Sequence, residues 1–108
     1  MPAAKQTPEY ELGSTPWAQL PTLTRVKEGT TVTSLGVGET ITLVHKNPAG
    51  TTVATYTAAG GDITHGTGGT WWCLVTTPVV GTHDLHWTAV IGSGTWEWHD
   101  SFTVVDNA

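Results

Sequence analysis

The sequence predicts an all-β chain, an antiparallel sandwich or barrel, and three observations carry that prediction. Threonine occurs 22 times and glycine 13 times in 108 residues, a composition that favours strands and tight turns over helices. From residue 22 onward, apolar and polar residues alternate in short runs broken by turn residues at regular intervals, the pattern of antiparallel strands. No segment carries a helical period long enough to compete with that alternation. The length allows one domain with a single core.

The segment 1–21 reads differently. It holds four of the six prolines, Pro2, Pro8, Pro16 and Pro21, and its few apolar residues follow no strand or helix period, so it is expected to be an extended arm, tied down on its own domain or on a partner. The sandwich is expected over 22–105, with 106–108 as a tail. Within it, 22–26 and 30–35 are short strands separated at Glu28-Gly29, and 39–46 is a stronger one in which Ile41 and Leu43 share a face. Asn47-Pro48-Ala49-Gly50 places proline and glycine where a four-residue turn needs them, so the chain reverses and 51–57 returns. A brief strand at Ile63 lies between the loops 58–61 and 65–69.

The strand 70–77 sets Trp71, Cys73 and Val75 on one face and Trp72 and Leu74 on the other. Pro78 to Gly81 turns the chain into 82–91, where His83, Leu85, Trp87 and Ala89 share a face. Gly92-Ser93-Gly94 is a hairpin turn, and 95–105 follows with Trp96, Trp98, Phe102 and Val104 in phase. About seven strands result.

Charge and cysteine content exclude several functions. The formal net charge is -5, with only Lys5, Arg25, Lys27 and Lys46 positive; this leaves no basic stripe for a nucleic acid. Cys73 is the single cysteine, so neither an internal disulfide nor a thiolate zinc cluster can form. No apolar run is long enough to span a bilayer, and no apolar stretch of a secretory signal follows Lys5. The expected place of action is cytoplasmic or in something assembled there.

The second half resembles a known family. Thr55-Tyr56-Thr57, Asp62-Ile63-Thr64-His65-Gly66-Thr67-Gly68-Gly69-Thr70-Trp71, Gly81-Thr82-His83-Asp84-Leu85-His86-Trp87 and Ser101-Phe102-Thr103-Val104 are similar to the small immunoglobulin-like structural proteins of tailed bacteriophages. In that family a tyrosine-ended strand leads to an I-x-x-x-G-T-G-x-Y step, then a turn into a tryptophan-bearing strand and a closing F-x-V strand. Trp71-Trp72 stands where the family has one aromatic, and Val79-Val80 where proline is more usual; the proline-containing arm has no counterpart. The resemblance implies an immunoglobulin-like antiparallel β-sandwich and a virion protein assembled in the host cytoplasm. Its partner would be the major capsid protein or another virion protein, and its role decoration or stabilisation of the capsid. Alternatives are a head-to-tail connector or tail component, and an adhesion module binding host glycans.

Candidate site residues divide by geometry. His83 and His86 are three apart on a strand and face opposite ways, so they cannot chelate one ion. A register pairing His86 with His99 would set those two side by side, with Asp84 or Glu97 the only third ligand; the expectation is no metal and no cofactor. Asp84, His83, Ser93 and Ser101 form a Ser/His/Asp set on paper, without an elbow or oxyanion loop. Glu97 and Asp100 face opposite ways and make no acid/base couple. The chain is expected to be no enzyme.

Six tryptophans remain to be placed. Trp71, Trp87 and Trp98, with Phe102, fit a sandwich core, whereas Trp17 and Trp72 are left over and Trp96 sits beside a turn. Partner contacts are therefore expected from Tyr10, Leu12, Trp17 and Leu20 along the arm, together with Trp72 and Trp96. If copies touch on a particle, a trimer is the natural homo-oligomer.

Overall fold

The computed structural model describes residues 8–20, 23–25, 30–66, 69–92 and 94–106, with the backbone alone at 24, 25 and 30. Parts of the expected arm (1–7), the Glu28-Gly29 break, Thr67-Gly68 and Ser93 lie outside the described residues. Among the described residues ten strands follow one another: β1 Glu9–Glu11, β2 Trp17–Leu20, β3 Thr24–Arg25, β4 Thr30–Thr31, β5 Thr40–Lys46, β6 Thr52–Thr57, β7 Ile63–His65, β8 Trp71–Leu74, β9 Gly81–Ile91 and β10 Gly94–Val105. Among the described residues there is no helix.

Eight of the strands build two sheets, ordered β1-β10-β9-β5-β6 and β2-β8-β7, while β3 and β4 pair as a separate ribbon. All pairings are antiparallel except β1 with β10. In chain order β2, β5, β6, β7, β8, β9 and β10 take the places of strands B, C, C′, D, E, F and G of an immunoglobulin-like sandwich, and β1 closes the larger sheet alongside the last strand. The expected fold class is the observed one, with eight sandwich strands instead of about seven.

Alternation dictates the core. Ile41 and Leu43 from β5, Leu85, Trp87, Ala89 and Ile91 from β9, and Phe102 and Val104 from β10 are buried against Ala18, Leu20, Ile63, Trp71, Cys73 and Val75 of the opposite layer. Each large apolar side chain so buried contributes roughly 1.5–3 kcal/mol. Trp71 meets its polar requirement by donating Nε1–H to Val32 O at 3.1 Å, which ties the ribbon segment over one end of the core. The β5–β6 reversal uses the expected turn: Asn47 Oδ1 accepts from the amides of Ala49 and Thr51, each at 3.0 Å. Gly81 follows at φ 126, where an added Cβ would stand 2.6 Å from Pro48 Cγ, so the close approach of the two loops needs glycine.

Two expectations are corrected. Residues 9–20 are tied down on the chain's own domain, one of the two expected outcomes, but as an edge strand in each sheet and not as an arm preceding a sandwich that begins at 22. Tyr10 pairs with Val104 and Ala18 with Cys73, and Leu20 is wholly buried. The link between these strands is clasped by Thr77, whose hydroxyl lies 2.7 Å from Ser14 O and 3.1 Å from Glu11 O. The second correction concerns strand lengths. The ladder of the expected 70–77 strand stops at Leu74, although Val75 and Thr77 stay buried: the Val75 amide still bonds Pro16 O at 3.0 Å, but Pro16 has no N–H to return the bond, and Thr77 turns to the 11–14 link. Similarly, 30–35 is a strand only over Thr30–Thr31.

Candidate functional site

The strand β2 explains where the surface site lies. Between Pro16 and Pro21 only four residues can join a ladder, and they alternate: Ala18 and Leu20 point into the core, Trp17 and Gln19 out. Trp17 stands opposite Leu74, and Gln19 opposite Trp72, which is in turn opposite Thr64. The outer face of the small sheet therefore carries an indole and an isobutyl side by side, 54 % and 44 % exposed.

Two grooves flank Trp17. One, of about 290 Å³, is lined by Trp17, Tyr56, Gly61, Asp62, Thr64 and Leu74. The other, of about 240 Å³, opens at the edge between the sheets and is lined by Trp17, Tyr10, Pro16, Gln19, Asp100 and Phe102, among others. Each has room for roughly eight to ten waters. Asp62 Oδ2 accepts from Thr57 N at 3.3 Å, and Asp100 Oδ1 from Ser101 N at 2.9 Å. Burial, with the Cys73 thiol nearby, raises Tyr56 above the ordinary phenol range, so its hydroxyl stays protonated and can donate.

The other expected partner residues are spread over the molecule. Tyr10 packs edge-on against Phe102 with ring centroids 5.6 Å apart; its ring serves the core as well as the second groove. Leu20 is spent on this chain's own core, so its expected role as a partner anchor is corrected, while Leu12 is exposed on the link after β1. Trp72 is half-buried and donates Nε1–H to Thr70 Oγ1 at 3.2 Å; an added Cβ at Gly66 would meet that Nε1 at 2.6 Å. Trp96 is half-buried beside Trp98, at 6.0 Å and 21°, on the opposite sheet. Trp98, expected in the core, is also only half-buried at its margin. Trp17 and Leu74 thus stand together, and Trp96 does not join them.

The histidines separate by face, as their spacing requires. His86 pairs with His99 across β9 and β10; the rings stack at 4.2 Å and 14°, and His86 Nε2 lies 3.2 Å from Glu97 Oε1. His45 and His83 are on the inner face, both fully buried, with His45 Nε2 2.8 Å from His83 Nδ1 and His83 Nε2 2.8 Å from Val79 O. A carbonyl only accepts, so His83 carries its proton on Nε2; in the neutral pair His45 then donates from Nε2. His45 Nδ1 is left as a buried lone pair without a partner among the described residues. Burial, reinforced by His83, lowers His45 from 6.5 to about 4. Sequence reasoning missed this pair, because His45 and His83 meet diagonally across two strands 38 residues apart.

The remaining chemistry-bearing groups stay apart. Ser101 faces Asp84 on the outer side of the larger sheet, while His83, turned inward, already has both nitrogens bonded. Among the described residues, no three His, Cys, Asp or Glu side chains are grouped to hold a metal ion. Cys73 is buried and its thiol pushed up to about 12, chiefly by desolvation, which keeps it protonated and unreactive.

Compared with protein-family models, curated proteins and solved structures, the chain has no match. What fold and site define is a class: an immunoglobulin-like β-sandwich bearing one exposed tryptophan between two acid-lined grooves.

Proposed function

We propose that this chain is a non-enzymatic attachment module that joins a larger assembly through the Trp17 face of its small sheet. The observation that carries this reading is the adjacent exposure of Trp17 and Leu74 on neighbouring strands of one sheet, whereas the other exposed large apolar side chains, Leu12, Val37, Val79 and Val80, lie outside the strands. An exposed indole contributes much more to an interface than to the stability of the free chain. The resemblance of residues 39–105 to phage immunoglobulin-like proteins supports a virion as the assembly, with the major capsid protein as partner and decoration or stabilisation of the capsid as the role. Repetition over a shell turns modest affinity per copy into stable occupancy.

The test is incorporation of the chain into particles, wild type against Trp17→Ala. Expected is a loss of about 2 kcal/mol of binding, roughly thirtyfold in affinity, with the melting temperature unchanged; undiminished incorporation overturns the reading. Copies per particle, counted on the same sample, separate a capsid decoration protein from a connector or tail component. A glycan-binding reading draws on Asp62, Thr64 and Tyr56 beside the indole, where a sugar ring could stack and bond its hydroxyls. Binding of the isolated chain to host glycans would favour it.

A further inference from the structure

We propose that the two grooves flanking Trp17 receive a basic segment of the partner protein, with arginine or lysine side chains against the indole and their charge facing Asp62 and Asp100. This rests on the attachment reading and adds the chemistry of the partner.

The site is symmetric in a way that selects its ligand. Trp17 is a lining residue of both grooves, and each groove contributes one exposed carboxylate, Asp62 in one and Asp100 in the other. Among the described residues each carboxylate bonds only an amide of its own neighbourhood, so acceptor positions remain. Among the described side chains the one lysine or arginine is Lys46, which pairs in register with Asp84 on the outer face of the other sheet; no described cation lines either groove. The chain as a whole carries -5. An anionic ligand is repelled here, and a cation gains both from the carboxylates and from the face of the indole, the aromatic that attracts cations most strongly.

Leu74 and Pro16 give the walls apolar surface that suits the methylene stem of a long basic side chain. A single small cation would fill one groove only. An extended peptide sets residues i and i+2 on one side about 7 Å apart, which lets two basic side chains of one segment reach the two grooves that share Trp17.

The test is a chemical-shift titration of the full ¹⁵N-labelled chain with three probes: acetyl-Arg-Ala-Arg-amide, its citrulline counterpart, and the disaccharide of N-acetylglucosamine. The arginine peptide should shift the Trp17 indole N–H together with the Asp62, Thr64 and Ser101 amides. The neutral citrulline peptide should bind about tenfold more weakly, and added salt should erase that difference. Asp62→Asn combined with Asp100→Asn keeps an oxygen for each amide bond and should bring the two peptides level. No response to the arginine peptide, an equal response to citrulline, or a response at Trp17 to the disaccharide alone overturns the inference. Its failure is distinct from failure of the attachment reading. Particle binding lost in Trp17→Ala with no arginine response removes only the basic segment, whereas particle binding indifferent to Trp17 removes the docking face itself.

Discussion

The larger sheet carries two histidine pairs, one on each face, and the contrast between them shows how position sets chemistry. His83 and His86 are three residues apart on one strand, so alternation alone sends them to opposite faces. On the outside, His86 stacks on His99 and approaches Glu97 in contact with water. On the inside, His83 is locked between His45 and the carbonyl of Val79, and Phe102 lies parallel to it at 4.9 Å. The same imidazole is a solvated surface group in one place and part of the packing in the other. Outside, the His86 ring has the Glu97 carboxylate and solvent beside it. Inside, a proton on His45 Nδ1 would have no acceptor.

The sharpest way to break this contrast is to remove one ring from each pair. His83→Ala opens a cavity, strands the His45 N–H and frees Val79 O; the expected loss is about 3–5 kcal/mol in chemical denaturation. A loss below that of an ordinary surface substitution would mean that the pair does not organise this end of the core.

Acid provides the second and smaller effect. His45 sits at about 4 in the folded chain against 6.5 ordinarily, so between those values the unfolded chain binds the extra proton. Stability from this group is fully present above pH 6.5 and is lost as pH falls toward 4, by about 3 kcal/mol in all. Denaturation of wild type and His45→Phe across that range checks the sign, because the variant lacks this part of the slope. A constant difference between the two proteins at every pH would refute the assignment.

The smallest effect is expected outside. His99→Ala removes a stacked but solvated ring, and its stability should stay within about 0.5 kcal/mol of wild type at neutral pH. A cost comparable to that of His83→Ala would show the outer pair to be structural as well.

The two sheets differ in how far they could be read in advance. The strands of the larger sheet are long, alternate cleanly and are joined by turns with readable chemistry, Asn47-Pro48-Ala49-Gly50 above all. Their inward faces, and the pairing of His86 with His99, follow from counting. β2 has four residues between two prolines, too short a run for its alternation to stand out, so Ala18 and Leu20 read as parts of an arm. Trp17 could still be singled out, because the core positions elsewhere left it over. Its neighbours could not: Leu74, Asp62 and Asp100 come from three separate stretches, and no local pattern brings them to the grooves that Trp17 lines.

What the sequence determines by itself is the class of fold and the sharing of faces. Strand alternation and turn formation are local, governed by steric preferences within a few residues. The docking of 9–20 into both sheets, the orphaned nitrogen of His45 and the grooves beside Trp17 are decided only in the tertiary structure. They depend on which ladders close and which faces meet, and those contacts are selected by burial of the whole core together, between residues as far apart in the chain as Tyr10 and Val104.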